Sequence, residues 1–342
     1  MYNAEIYNDC LRAALAGTKL AGRRVLITGA TGLIGSFLVD ALALLNDEEG
    51  AGVEIYAAGR SETGMRARFG ARMDAPDFHF VSYDATKPVE FDFQADYVVH
   101  AATSAHPMAY ATDPVGIMQA NLFGASRLLE LLRGQGFGRF LMLSTGEIYG
   151  ENPTFPEGFS ETDNGFIDSM RPRSCYPESK RAAETLCAAY AAQYGVDAVV
   201  ARLCHVYGPT FTPSNSRADA QFIRKALAGE DIVMKSAGSQ VRSFCFVADA
   251  VCALATLLEK GERGQAYNVS NRNSVASIRQ YAETLAQIAG VKLAFDLPPE
   301  TERAGYTTVT RAVLNPSKLE ALGWRAKYDL RAGLTATYRC CR

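Results

Sequence analysis

The stretch RVLITGATGLIGSFLVDALALL, residues 24–45, decides the architecture. It opens on a short β-branched run, Arg24-Val-Leu-Ile-Thr28, and passes through glycines at 29, 32 and 35. It closes on 36–45, where apolar residues recur at helical spacing. The reading is strand, tight turn, helix. Glycines without Cβ atoms let the chain turn sharply and let a pyrophosphate approach the backbone. The helix N-terminus adds free N–H groups and a partial positive charge. The spacing is GxxGxxG rather than the commoner GxGxxG. In its strand-before, helix-after setting it predicts a dinucleotide site built from Gly29, Thr31, Gly32, Leu33, Ile34 and Gly35.

Working outward, strand-like runs recur at 53–58, 78–82, 95–100, 139–143 and 197–203, with helical patterns at 122–132 and 180–194. Strands alternating with helices predict an α/β fold of the Rossmann type, a doubly wound parallel sheet covered on both faces. Residues 1–17 lack a basic segment and a continuous apolar core, so a docked amphipathic helix is expected there rather than a signal segment. After about residue 204 the rhythm changes to Gly208-Pro209, a polar stretch at 210–219, a helix at 221–227 and shorter strand-like pieces. The expected organisation is a dinucleotide-binding domain at 1–203, rejoined by 243–270. A smaller C-terminal α/β lobe, 204–242 and 271–342, would close over the strand ends and bind substrate.

The 342 residues carry 35 Lys and Arg against 37 Asp and Glu, a net charge of −2, without a dense basic stripe. A nucleic-acid or anionic-membrane partner therefore finds little electrostatic support, and a small-molecule ligand is expected. No apolar run reaches the roughly 18 residues that a membrane span needs. The eight cysteines, at 10, 175, 187, 204, 245, 252, 340 and 341, have no CxxC spacing. They read as reduced thiols of a cytoplasmic protein, with no metal site. Cys340 and Cys341 are expected in an inert exposed tail.

Cys175-Tyr176-Pro-Glu-Ser-Lys180 sets a tyrosine and a lysine four apart, on one face of a helix that starts near Pro177. A phenol of pKa about 10 is a poor base at neutral pH. A nearby ammonium and a positively charged nicotinamide would lower that value, so that Tyr176 could take a proton from a hydroxyl as hydride leaves its carbon. Upstream, STGEIYGE at 144–151 follows the apolar run Phe140-Leu-Met-Leu143. Thr145 is suited to hydrogen-bond the substrate oxygen. Glu147 is a carboxylate one turn beyond a buried strand, a costly place unless it is used. After the second strand, the acidic residue that usually holds the adenine ribose is replaced by Gly59-Arg60. Arg60 either stacks on adenine or meets a 2′-phosphate, which leaves both NAD and NADP open. Asp84 either meets the adenine amino group or is a solvated loop carboxylate.

Taken together, Gly29-xx-Gly32-xx-Gly35, the strand end His100-Ala101-Ala102-Thr103, Asn121, Thr145 and Tyr176-xxx-Lys180 resemble the extended short-chain dehydrogenase/reductases, the nucleotide-sugar epimerase/dehydratase family. The resemblance runs from about Arg24 to Trp324. Within that family, segments 174–187 and 238–249, with Ser144-Thr-Gly-Glu147 and Pro107-x-x-Tyr110, look most like UDP-glucuronate decarboxylases. The resemblance implies NAD kept bound through the cycle, oxidation at sugar C4 to a 4-keto intermediate, a UDP-linked substrate and a homodimer. It implies Tyr176 as the base, with Lys180 tuning it and holding the nicotinamide ribose, and Thr145 assisting. Glu147 and Arg242 match the pair that positions the sugar and serves decarboxylation, and Tyr110, Arg217 and Gln221 match substrate positions. Ala85, Ala101, Ala102 and Thr103 fall on the cofactor side.

Two residues depart from the pattern. His205 stands where these families commonly place an asparagine near the substrate diphosphate, although a histidine can still donate there. Gly146 stands where the 4,6-dehydratases have an aspartic acid, so water elimination lacks one of its two catalysts. The guanidinium fork of Arg242 fits a carboxylate and a diphosphate equally well. Decarboxylation and 4-epimerisation therefore both remain open. The intact Tyr176–Lys180 pair argues against a non-catalytic dinucleotide-binding regulator.

Overall fold

The computed structural model describes residues 2–88, 90–103, 105, 107–151, 158–297 and 309–342. An amphipathic helix, α1 (Ala4–Leu15), precedes the expected β1 (Arg24–Thr28) and α2 (Leu33–Glu49). The alternation continues through β2 (Glu54–Gly59), α3 (Glu62–Phe69), β3 (Phe78–Ser82) and β4 (Tyr97–His100). Next come α4 (Pro107–Thr112), α5 (Pro114–Gln135), β5 (Arg139–Thr145), α6 (Cys175–Tyr194) and β6 (Asp197–Leu203). Shorter elements follow: β7 (His205–Tyr207), α7 (Ala218–Leu227), β8 (Ile232–Met234) and β9 (Val241–Phe246). Beyond them lie α8 (Val247–Lys260), β10 (Ala266–Val269), β11 (Val275–Ser277) and α9 (Ile278–Ala289). The chain closes with β12 (Leu293–Phe295), β13 (Arg311–Ala312), α10 (Ser317–Ala321) and α11 (Leu330–Cys341).

Seven strands form one sheet in the order β10-β6-β5-β4-β1-β2-β3, every neighbouring pair parallel. Side chains alternate across a strand, so β1 feeds both layers. Val25 and Ile27 pack into the core shared with α1, α2 and α8, and Leu26 packs into the one shared with α5 and α6. Both faces being covered explains why β5 reads as an apolar run rather than an alternating one. Because all seven strands run the same way, the chain leaves β1, β4, β5 and β6 at a single edge. This edge gathers Gly29, Ala101, Thr145 and His205.

A second, smaller sheet has β9 at its centre, flanked by β11 (antiparallel) and β13 (parallel), with β7 also pairing β9 in parallel. Residues 243–246 thus pair in the small sheet, while α8 and β10 lie with the large one. The two regions are tied at Asp249 of α8. Its carboxylate accepts the backbone N–H groups of Lys327 (2.8 Å) and Tyr328 (3.0 Å), and its carbonyl accepts the Trp324 indole (3.2 Å).

The Cys340-Cys341 pair is not an exposed tail. It ends α11, which packs along α1. The Asn3 N–H donates to the Cys340 carbonyl (2.7 Å), and the buried Cys340 thiol bonds to Cys10. All eight cysteines are free thiols. Among the described residues no helix is long and apolar enough to cross a membrane, and no group of His, Cys, Asp and Glu is arranged to hold a metal ion.

Candidate active site

The turn between β1 and α2 is shaped around absent side chains. Gly29 has φ +68°, and a Cβ there would lie 2.7 Å from the Ala101 carbonyl oxygen. A Cβ on Gly35 would collide with the Gly29 carbonyl. The N-cap of α2 is Gly32, which offers no side-chain cap, so no capping side chain occupies the first N–H groups of the helix. Nearby, the hydroxyls of Ser36 and Thr103 are buried without a hydrogen-bond partner among the described residues. A cradle that a Cβ would fill, an uncapped helix start and two orphaned hydroxyls fit a dinucleotide such as NAD. The N–H groups of Ala101, Ala102 and Thr103 are already committed to Thr28 and Ala101 oxygens, so this strand end offers the Thr103 hydroxyl rather than its backbone.

Two other residues expected on the cofactor side are also located. Arg60 is exposed directly after β2. Asp84 accepts both the N–H (3.0 Å) and the hydroxyl (2.7 Å) of Thr86 on one oxygen, which holds it below the ordinary carboxylate range. One Asp84 oxygen is therefore occupied by a local turn. The adjacent Ala85 is buried, its carbonyl held by Arg127 (3.0 Å).

At the end of β5 the chain makes a tight 3-10 turn, Gly146–Tyr149, with the Thr145 hydroxyl accepting the Glu147 N–H (3.2 Å). The same hydroxyl bonds to the Tyr176 phenol. Tyr176 sits in the first turn of α6 with its ring stacked on Tyr110 of α4, centroids 4.9 Å apart. Burial and then the Glu147 charge push the phenol above its ordinary value, and Thr145, Arg217 and Arg173 pull against them. Lys180, one turn further along α6, is expected from its spacing to lower the phenol's pKa, but it is not among these opposing influences. Instead its ammonium donates to the Leu143 carbonyl (2.7 Å) and its closest acidic influence is Glu184. Burial lowers Lys180 to about 8.

Arg173 escaped the sequence reading. It stands in the turn just before α6, its guanidinium 2.8 Å from a Glu147 oxygen and 4.4 Å from the centre of the Tyr110 ring. The available signal was a cation three residues ahead of the Tyr176-xxx-Lys180 pair. Glu184 was also missed. It takes the Ser144 hydroxyl and the Arg202 guanidinium (2.8 Å), and so braces the strand that carries Thr145.

The opposite wall is cationic. Arg242 in β9 is 5% exposed and donates to the carbonyls of Val241 and Val309 (2.8 Å each). No carboxylate lies within ion-pair distance of it among the described residues. Burial lowers its pKa, and Glu147 opposes that shift. His205 pairs in register with Phe244, two residues along β9 from Arg242. Burial first, then Arg217 and Arg242, lower it to about 3, so it is a neutral donor-acceptor at physiological pH. Arg217 donates to the Val206 carbonyl (3.1 Å), while its Nε is buried without a hydrogen bond. Gln221 is not drawn into this group. It is exposed in the first turn of α7 and its amide donates to the Ser216 carbonyl (2.7 Å).

A glycine cradle at the carboxyl edge of a parallel sheet, facing a Thr–Tyr–Lys set and a cationic wall, defines a dinucleotide-dependent enzyme acting on an anionic substrate. Residues 25–270 match the NAD dependent epimerase/dehydratase family, and the chain belongs to that family. It is 32% identical over 314 residues to UDP-glucuronic acid decarboxylase 5 of Arabidopsis thaliana, covering 91% of this chain and 87% of that protein. It is 30% identical over 319 residues to UDP-glucuronic acid decarboxylase 1 of Xenopus tropicalis, covering 92% and 71%. Among solved structures, the UDP-glucose 4-epimerase of Thermus thermophilus in complex with NAD superposes with a TM-score of 0.74. That match is at 29% identity and covers 92% of this chain and 97% of that one.

Proposed function

We propose that this chain is a UDP-glucuronate decarboxylase. The observation that carries the reading is a buried Arg242 that has no carboxylate partner among the described residues and feels the charge of Glu147, which in turn acts on Tyr176. A uronate carboxylate arriving at Arg242 supplies the missing counter-charge where desolvation makes an unpaired guanidinium costly. The names of the two relatives support the same substrate. Dehydration is disfavoured by packing as well as by chemistry. A Cβ on Gly146 would lie 3.1 Å from both Leu314 methyl carbons, so an acidic side chain at this position meets Leu314.

The residues divide the work as follows. The backbone from Gly29 to Gly35, with the Thr103 hydroxyl, would hold NAD, which when bound supplies a reversible hydride acceptor. Tyr176 takes the proton of the sugar C4 hydroxyl, and the Thr145 hydroxyl shares that oxygen. Lys180, one turn further along the same helix, supplies a buried ammonium that is charged at pH 7. Arg242 orients the C6 carboxylate across from the new C4 ketone. The C5–C6 bond then breaks, CO₂ leaves, and the electron pair passes to the enolate of the ketone before C5 takes a proton. Glu147 steers that end of the sugar. His205 and Arg217 are assigned to the diphosphate, as a neutral donor and a cation.

Two further features complete the proposal. The protein acts as a homodimer through α5, where Val115, Met118 and Leu122 recur at helical spacing on one face, Val115 at 64% and Met118 at 39% exposure. The free and mostly buried thiols support a cytoplasmic setting. The test is incubation of the NAD-loaded protein with UDP-glucuronate. Stoichiometric CO₂ and a UDP-pentose are expected, while UDP-galacturonate as product, or no turnover, overturns the proposal.

A further inference from the structure

Three separately built segments meet at Arg173. The turn Pro172–Ser174 presents it, with the Ser174 hydroxyl bonded to the Asp168 carbonyl (2.6 Å) and the Ser174 N–H to the Arg171 carbonyl (2.9 Å). Its Nη2 reaches Glu147 in the turn after β5 (2.8 Å), and its guanidinium lies over the Tyr110 ring from α4 (4.4 Å). Tyr110 in turn stacks on Tyr176 (4.9 Å). One cation thus touches the carboxylate at the C5–C6 end of the sugar and the ring that backs the base acting at C4.

We infer that Arg173 is a positioning residue for this reaction: seated against the Tyr110 ring, it fixes the Glu147 carboxylate. The inference rests on the catalytic reading above. Arg173 and Arg242 are in contrasting states. Arg173 already has its carboxylate in Glu147, whereas Arg242 is buried and, among the described residues, has only carbonyl partners. The substrate carboxylate therefore goes to Arg242, and Arg173 remains with Glu147 and keeps that carboxylate from turning onto Arg242 in the substrate's place. A stability role does not account for the Arg173–Glu147 pair, since its side chains are 52% and 40% exposed and a pair so hydrated adds little to folding.

The experiment uses the full-length, NAD-loaded protein and a double-substitution cycle. Arg173→Met should lower kcat roughly 10- to 100-fold, the range a misplaced group costs. Its unfolding temperature, bound NAD and affinity for UDP should remain unchanged. Arg173→Lys should restore most of the rate, because the contact to Glu147 runs through one nitrogen and needs no fork. The deciding result is the double variant. If Arg173 acts through Glu147, Glu147→Gln/Arg173→Met loses no more than Glu147→Gln alone, within about 2-fold. Independent, multiplying losses overturn the inference, as does a raised KM with kcat unchanged. CO₂ release by the wild-type protein reports separately on the substrate. If the wild-type reaction is instead 4-epimerisation, the same cycle is run on that reaction, and the same two outcomes support or overturn the role of Arg173.

Discussion

Lys180 holds its ammonium in a place that is 1% exposed, against a single carbonyl oxygen. With burial lowering it to about 8, the amine is charged at pH 7 and neutral a little above pH 8. If its charge assists Tyr176, kcat should fall about 10-fold per pH unit above pH 8. Lys180→Met should be slow throughout and lack that limb. A rate constant flat to pH 10 would remove the ammonium from the step. The linkage runs the other way for folding. The unfolded chain binds this proton more tightly, so the cost of burying Lys180 is full below pH 8 and is relieved as pH rises from 8 towards 10.5. At this scale the sequence picked out residues that the fold gathers better than it predicted how they are arranged. Spacing of four places Tyr176 and Lys180 on one face, but which oxygen the ammonium meets depends on where β5 passes, and Arg173 belongs to the site only because α4 and two turns converge on it.

The strand–turn–helix at 24–45 shows how much an element can reveal without its neighbours. Its β-branched run, glycines and helical period all point the same way, and the structure follows them. Gly29→Ala tests the turn. A φ of +68° costs an L-residue about 1–2 kcal/mol. The new methyl also meets the Ala101 carbonyl, so β1 and β4 must part at the edge where the cradle forms. Expected results are a lowered unfolding temperature and at least a roughly 10-fold weaker NAD affinity, read by calorimetry on protein stripped of cofactor. Retained affinity would show that the close approach of these two strand ends is dispensable. The small sheet was not legible in the same way. β7 and β11 have three residues and β13 has two, too few for any period to register, and β9 reads as an apolar run that the large sheet could equally have claimed. Only pairing partners distant in sequence settle its place.

For the molecule as a whole, Asp249 ties the sheet's helical layer to the segment that leads into α11. Burial raises its carboxyl to about 6 despite two backbone donors, so at pH 7 it is a buried carboxylate held by two N–H groups. Asp249→Ala leaves both donors unmet and should destabilise the protein by about 2–4 kcal/mol in urea unfolding at pH 7. A change under about 1 kcal/mol would mean that water replaces the carboxylate. The expected homodimer has its own measurement. Met118→Glu should halve the mass seen by light scattering without altering the circular dichroism spectrum, and a wild-type monomer would contradict it. The tail cysteines were misread for a whole-molecule reason, since only the meeting of α11 with α1 buries Cys340. Leu314 carries a similar lesson for evolution. It lies beside Gly146, so a side chain at 146 requires Leu314 to give by a few tenths of an ångström, and Leu314→Ala, which would make room outright, costs about 2–5 kcal/mol. A lineage drifting from this chemistry towards elimination therefore has to readjust the packing at a second position far away in the chain. Epistasis between them adds a packing constraint to the missing acid.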